Sequence, residues 1–188
     1  MNTVRETAMK NMLQISCLAL LSLFLTGCGE RSAESDNPRA YNNAGLEFQY
    51  PGNWKVAEDG MKGELRHLLI EYPGTGLLVT IFILPADDAR DIDGFAEIYA
   101  RSCNEEVPFG DVTDSVFGSI RQSGEYEILS EKFAIDILGV KTPHTRTYRR
   151  KSVAGQVCFV VDQVADEHHS KVAKGVELVV SSLTYETP

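Results

Sequence analysis

The sequence predicts an α+β domain with a mainly antiparallel sheet between two helical layers. Residues 77–84 (LLVTIFIL) are almost entirely apolar, and Gly76 and Pro85 bound them, as expected for a central strand covered on both faces. Two amphipathic segments can supply the covering helices. Three strand-like segments joined by short turns form an antiparallel meander: residues 127–137, 140–151 and 156–164.

Two earlier strands precede the central one. Apolar and polar residues alternate over residues 46–50, and Pro51 with Gly52 then predicts a turn. The alternation resumes at Trp54, and a second strand covers about residues 67–72. These segments complete the strands that we expect before the first helix.

The two helices are predicted from apolar spacing and from capping residues. Asp91 and Asp93 are suitable N-terminal caps, and they precede apolar residues at helical spacing: Phe95, Ile98, Tyr99 and Cys103. The second helix should begin at Asp166 or Glu167 and carry one apolar stripe: Val172, Val176, Val179, Val180 and Leu183. Gly175 and the many valines weaken the intrinsic helix preference of this second segment.

Residues 1–27 have the pattern of a secretory signal peptide. A basic start precedes an apolar core of roughly 13 residues, which is shorter than the roughly 20 that a transmembrane helix needs. The core ends in Leu25, Thr26, Gly27 and Cys28, which resembles the bacterial lipobox. That resemblance implies cleavage before Cys28 and attachment of lipid, including palmitate, to its thiol. An ordinary signal followed by a chance cysteine is the alternative.

Residues 28–43 are predicted to be the lipidated cysteine and a flexible tether, because the segment is polar, rich in turn formers and without apolar periodicity. Residues 44–188 then form one domain, since about 145 residues suffice for one core. Gly29, rather than an aspartate, follows the cysteine. In an organism with two membranes, that pattern resembles lipoproteins sent to the outer membrane and facing the periplasm.

The charge balance excludes one class of function. The chain has 18 Lys and Arg residues against 27 Asp and Glu residues, for a formal net charge of −9. Nucleic-acid binding depends on cations that neutralise phosphates, so an acidic domain of this kind is not expected to bind DNA or RNA.

Two cysteines remain in the predicted domain. In an oxidising compartment Cys103 and Cys158 could form a disulfide, because a helical cysteine could be joined to the strand that its helix covers. Two separately buried thiols are the alternative. A Cys103 nucleophile with a histidine partner is a third use, but no local motif supports it.

The domain start carries the motif GLEFQYPGNWKV, in which a strand leads through Tyr-Pro and a turn to a tryptophan. With the long meander and a terminal helix ending in VVSSLTY, this resembles the PsbP-like (Mog/PsbP) superfamily, including bacterial lipoproteins of the DcrB type. The resemblance implies an α/β/α sandwich around an antiparallel sheet of about six strands. Members mostly bind or assemble partners, and they share no catalytic residue set that could be transferred to this chain.

One basic cluster interrupts the acidic sequence: Arg146, Arg149, Arg150 and Lys151. These residues could dock an anionic partner, such as a lipid head group or an acidic protein surface. Charges that protect an exposed strand are the alternative interpretation.

Metal and catalytic sites are not predicted. An acidic run resembles part of a calcium loop but lacks two essential oxygen ligands, and helix capping explains the same residues: Asp87, Asp88, Asp91 and Asp93. His168 and His169 are adjacent and would point about 100° apart on a helix, while His67 and His144 lie on separate strands. We therefore expect no cofactor.

The sequence-based expectation is a lipid-anchored envelope protein, held to the membrane by its N-terminal lipid. Its single domain would bind or help assemble another envelope component without catalysis. The alternative is an envelope hydrolase or a metal-dependent enzyme with an unrecognised site. A cleft with convergent polar groups would favour the enzyme, and a flat or groove-like apolar patch would favour the binding protein.

Overall fold

The computed structural model describes residues 32–72, 76–105, 107 and 110–186, so the predicted signal peptide and Cys28 lie outside the described residues. The described chain contains eleven strands and two α-helices. In chain order these are β1 Arg39–Asn43, β2 Leu46–Tyr50, β3 Lys55–Lys62, β4 Leu65–Tyr72, β5 Leu77–Pro85, α1 Ile92–Asn104, β6 Gly110–Phe117, β7 Arg121–Ser123, β8 Tyr126–Ile137, β9 Val140–Val153, β10 Gln156–Ala165, α2 His169–Ser182 and β11 Thr184–Tyr185.

The main sheet has eight antiparallel strands in the order β3-β4-β5-β10-β9-β8-β6, with β7 also paired to β8. The apolar strand β5 lies at an interior position, as predicted, and pairs with β4 and β10. The meander β8-β9-β10 is also confirmed. The sheet thus has eight strands, against about six implied by the family resemblance. Strands β6 and β7 were not predicted from the sequence, because both are largely exposed and neither shows a clear alternation of apolar residues.

The two helices cover opposite faces of this sheet. On β5, Val79 and Ile81 belong to the core that packs under α2, whereas Phe82 and Leu84 belong to the core under α1. Phe95 of α1 stacks on Phe159 of β10 with ring centroids 3.9 Å apart. The predicted order of helix, sheet and helix is therefore present in the structure.

Helix α1 begins where the sequence predicts. Asp91 is its N-cap, and the carboxylate accepts a hydrogen bond from the backbone N–H of Gly94 at 3.3 Å. Asp87 and Asp88 lie in a separate 3-10 turn, Ala86–Asp88. The role of Asp91 is therefore helix capping, which was the sequence-based alternative to a calcium loop.

Helix α2 is preceded by a 3-10 turn, Asp166–His168, so its regular part starts at His169, slightly later than predicted. Gly175 occupies its middle for a packing reason. A Cβ atom built on Gly175 would lie 2.5 Å from Cζ2 of Trp54 and 2.7 Å from Cγ of Pro51. The missing side chain lets α2 lie directly on the buried tryptophan.

A small second sheet corrects the predicted tether. β1 pairs with β2, which also pairs with the two-residue strand β11. Residues 39–43 were predicted to be flexible, because RAYNN has only one large apolar side chain. That side chain, Tyr41, stacks on Phe48 with centroids 4.8 Å apart, and the backbone pairing supplies the rest. The folded domain therefore begins before residue 44.

Candidate functional site

The structure separates the four basic residues that we predicted to form one patch. Successive side chains of a strand point to opposite faces, so Arg146 and Arg150 of β9 lie on the α1 face while Arg149 and Lys151 lie on the α2 face. All four side chains are three-quarters or more buried, and each has an acidic partner. The four side chains therefore do not form one continuous patch, because strand alternation divides them between two faces and each is paired with an acidic side chain.

Arg146 belongs to a polar network beneath α1 whose central members, Glu131, Arg146 and Tyr148, are fully buried. Its guanidinium donates to Glu131 Oε2 at 2.9 Å and to Gln163 Oε1 at 2.7 Å. The hydroxyl of Tyr148 donates to the same Glu131 oxygen at 2.7 Å, and Ser115 Oγ donates to the other oxygen at 2.8 Å. Every heavy polar atom of this carboxylate thus has a partner, which is the condition for a buried charge to be tolerated.

The environment shifts the pKa values of two members of this network, Arg146 and Tyr148. Burial disfavours the charge of Arg146, but the neighbouring Tyr148, Cys103 and Glu131 outweigh that cost and raise the pKa of the guanidinium. Burial raises the pKa of Tyr148 well above its ordinary value, against the lowering effect of Arg146. Neither shift moves the pKa of Arg146 or of Tyr148 towards neutral pH.

The other two basic residues line a cleft of about 690 Å³ on the α2 face. The cleft lies between the C-terminal part of α2 and the turns that follow β7 and β9. Lys151 forms its floor: the ammonium donates to the carbonyl of Leu183 at 2.8 Å and lies 4.9 Å from the ring centroid of Tyr126. Arg149 lines the same cleft and pairs with Asp162. Around this floor lie small polar and acidic side chains, namely Ser123, Glu125, Ser152, Glu177, Ser181 and Thr184.

Two ionisable groups at and beneath the cleft floor, Tyr126 and Cys158, have raised pKa values. Burial raises the pKa of Tyr126, whose hydroxyl donates to the carbonyl of Val180 at 3.0 Å. Burial raises the pKa of the Cys158 thiol to about 12, although nearby Lys151 lowers it slightly. A thiol with such a pKa stays protonated at neutral pH, and the nucleophilic form is the thiolate.

Cys103 and Cys158 do not form the disulfide that we predicted. Both are buried without a disulfide, Cys103 in the core under α1 and Cys158 in the core under α2. The thiols are thus on opposite faces of the sheet, and the alternative of two separately buried thiols is correct. The prediction failed because the sequence around Cys158 is apolar at consecutive positions and does not show which face the thiol occupies.

The four histidines lie apart from the cleft. His67 Nε2 is 2.8 Å from Glu58 Oε1, although the ring is not aligned for a hydrogen bond. His144 stacks on Phe133, and burial lowers its pKa despite a bond to the Thr142 carbonyl. His168 and His169 lie at the start of α2. Within the described part of the chain, no three His, Cys, Asp or Glu side chains are grouped closely enough to hold a metal ion.

Comparison with known proteins gives similarity in structure only. No family model and no curated sequence matches this chain. The solution structure of the cyanobacterial PsbP protein CyanoP from Synechocystis superposes with a TM-score of 0.53 at 13% identity, covering 86% of this chain and 99% of CyanoP. The fold is therefore PsbP-like. At this identity the likeness concerns the fold alone.

Two further solved structures are more distant from this PsbP-like chain. A crystal structure from Bacteroides thetaiotaomicron has a TM-score of 0.45 at 17% identity, covering 76% of this chain and 45% of the other. LpqN, a protein involved in cell envelope biogenesis of Mycobacterium tuberculosis, has a TM-score of 0.41 at 13% identity, covering 85% of this chain and all of LpqN (100%).

A second polar cluster joins the small sheet of the PsbP-like domain to β3 and β4. Arg66 donates to the backbone carbonyls of Asn43 and Ala44, both at 3.0 Å, and forms an ion pair of 2.9 Å with Asp59. Tyr41 donates its hydroxyl to the same carboxylate. This cluster lines a smaller cleft of about 520 Å³. Its bonds attach the β1–β2 hairpin to the main sheet.

The Asp59 cluster gives a prediction for pH dependence. Burial opposes ionisation of Asp59, but hydrogen bonds from Arg66, Tyr41 and Asn43 prevail and lower its pKa from 3.8 to about 2. A lowered folded-state pKa stabilises the fold above the unfolded-state value, and that contribution is lost as the pH falls from about 4 to about 2. Asp59→Asn should therefore cost on the order of 1–2 kcal/mol at pH 7, and the difference should shrink towards pH 2.

Urea unfolding at several pH values measures this dependence. Asp114→Asn is the matched control, because Asp114 and its partner Lys141 have side chains 67% and 52% exposed, and exposed pairs contribute little. If the cost of Asp59→Asn were the same at pH 2 and pH 7, the ion pair would not be its source.

Proposed function

We propose that this chain is a lipid-anchored protein of the bacterial cell envelope whose domain binds another envelope component without catalysing a reaction. The lipobox-like Leu25–Cys28 sequence supports the anchor, and a Gly29 after the cysteine favours the outer membrane, facing the periplasm, where two membranes exist. The PsbP-like fold is compatible with this assignment. No helix in the described part of the chain is long and apolar enough to cross a membrane.

The observation that carries the binding proposal is the chemistry of the cleft beside α2. Its buried cations are engaged, Lys151 with the carbonyl of Leu183 and Arg149 with the carboxylate of Asp162. Tyr126 is held protonated, as is Cys158 beneath the cleft floor. What remains open to solvent is a rim of hydroxyls and carboxylates around the bonded Lys151, which suits recognition of a polar segment of a partner.

The position of the cleft agrees with this role. The chain enters the domain beside the start of α2, where the N–H of Ala33 donates to the carbonyl of Lys171 at 2.9 Å. Ser181, at the cleft, lies ten residues further along the helix, or about 15 Å along its axis. A domain anchored through its N-terminus would thus present the cleft away from the membrane, where a partner could reach it.

Site-specific photocrosslinking of the full chain in cells tests the proposal. With a photoreactive benzophenone side chain at Ser181, we expect a discrete adduct with one envelope protein, at least tenfold above the same probe at Lys174. Lys174 is an exposed residue of the same helix two turns away and does not line the cleft. Equal adducts at both positions, or none at Ser181, would contradict binding at the cleft. Turnover of an envelope substrate by the purified full chain, abolished by a cleft substitution, would favour the enzyme alternative.

A further inference from the structure

The first described residues are attached to the domain and do not extend from it. The N–H of Ala33 bonds to the carbonyl of Lys171 in the first turn of α2. The side chain of Asn53 accepts from the N–H of Glu34 at 2.9 Å and donates to the carbonyl of Ser32 at 3.0 Å. These bonds fix the point at which the chain enters the fold.

This attachment limits the distance between the domain and a lipid at Cys28. Four residue steps separate Cys28 from Ser32, and a fully extended chain covers at most about 3.6 Å per residue, or about 14 Å in total. The inference rests on the proposed lipid anchor. Given that anchor, the end of the domain that carries Ser32, Asn53 and the start of α2 must face the membrane at close range.

The β8–β9 hairpin projects from this same end. Strand β10 ends at Ala165, which pairs with His144, while β9 continues for four more residues to Val140. At about 3.3 Å per residue the hairpin extends about 13 Å beyond β10. Thr145 Oγ1 donates to Asp166 Oδ1 at 2.7 Å, which places the base of this extension beside the turn that begins α2.

The tip of the hairpin has an unusual residue for its backbone geometry. Leu138 and Gly139 form a two-residue turn, and both have positive φ, 53° and 86°. This is the geometry of a type I′ turn, in which asparagine or aspartate followed by glycine is strongly preferred. A leucine there is unfavourable for the backbone, and its side chain is 91% exposed. Val140, next to the turn, is 68% exposed.

The basic side chain nearest the tip is paired: Lys141 lies 2.9 Å from Asp114. Asp136 accepts from the N–H of Gly139 at 2.8 Å, and the exposed Asp111 lies opposite it on β6. The tip therefore offers an apolar contact without a surplus of positive charge, so an electrically neutral, zwitterionic lipid surface is the partner that fits it best.

We propose that Leu138 and Val140 insert into the lipid surface and form a second membrane contact of the anchored domain. The lipid holds one point near Ser32, and the hairpin tip supplies another on the same end. Two contacts fix the orientation of the domain, whereas a lipid on a tether alone leaves it free to rotate. The cleft beside Ser181 is then held facing away from the membrane.

The test uses the lipidated full chain in phosphatidylcholine vesicles with a fluorescent NBD label at position 140, introduced as Val140→Cys. Cys103 and Cys158 are buried, so the new thiol is the accessible one in the described domain. Spin-labelled lipid should quench the label. In a Leu138→Asn background the quenching should fall severalfold, while vesicle flotation is unchanged.

Leu138→Asn should weaken the lipid contact but increase the stability of the fold. A loss of quenching can therefore be distinguished from misfolding. Asparagine suits the positive φ of the turn, so the unfolding midpoint should rise. Ala154→Asn is the matched control, because Ala154 and Gly155 form the corresponding turn of positive φ at the other end of the sheet. It should also raise the midpoint but leave quenching at position 140 unchanged.

Each alternative outcome overturns the inference in a distinguishable way. If the chain floats with the vesicles and the label stays accessible to water, the anchor stands and the hairpin contact is wrong. If the chain does not float, the anchor itself fails, and the orientation argument fails with it. If the label is shielded only after envelope proteins are added, the tip contacts a protein and not lipid.

Discussion

Glu131→Ala should lower the free energy of unfolding by about 3–5 kcal/mol, because it leaves a buried guanidinium without its counter-ion. Arg146 is 1% exposed, and the substitution would also remove the acceptor of the Tyr148 hydroxyl. An ordinary domain is stable by about 5–15 kcal/mol, so the variant should be partly unfolded or close to it. Urea titration, followed by circular dichroism and by the fluorescence of Trp54, measures the loss.

Two further variants locate the source of that loss. Glu127→Ala lies on the same strand and face and removes the partly exposed pair with Arg150, so it should cost less than about 1 kcal/mol. The double variant Glu131→Leu with Arg146→Met removes both charges and should recover most of the stability. A double variant as unstable as Glu131→Ala would show that the cost comes from lost packing and not from an unpaired charge.

Cys28→Ala should abolish processing and membrane attachment, because the thiol is the atom that the lipid-transfer step modifies. We expect an uncleaved precursor that takes up no labelled palmitate, against efficient labelling of the native chain. Cys17→Ala is the control, since Cys17 lies within the apolar core of the predicted signal and should not affect labelling. Processing and labelling of Cys28→Ala at the native level would show that the lipobox interpretation is wrong.

The sequence predicts the fold well wherever one periodicity dominates. β5 is apolar on both faces, and α1 combines a capping aspartate with regularly spaced apolar residues, so both were placed correctly. The edge strands were harder, because β1 and β6 are held by backbone pairing and have few apolar side chains. Almost any residue can form backbone hydrogen bonds, so a strand held mainly by them is not recognisable from its residue types.

The polar sites were predicted less well, for a related reason. The basic cluster was treated as one patch, although strand alternation assigns Arg146 and Arg149 to opposite faces. The burial of Glu131 could have been predicted from the sequence. It lies two residues from Leu129 and two from Phe133, and both are buried on the same face of the sheet. A charged residue at such a position requires a buried partner, and the alternation of β9 offers Arg146. The cleft beside α2 joins distant segments, and no local pattern could reveal it.

The intact mass of the mature protein, purified from membranes in detergent, tests the claim on which the orientation and the proposed function both depend. We expect a chain that begins at Cys28 and carries a diacylglyceryl group, with palmitate among its acyl chains, on that residue. Residues 1–27 should be absent. A mature chain that begins at another residue, or one that begins at Cys28 without lipid, would contradict the anchor and with it the membrane-facing orientation of the domain.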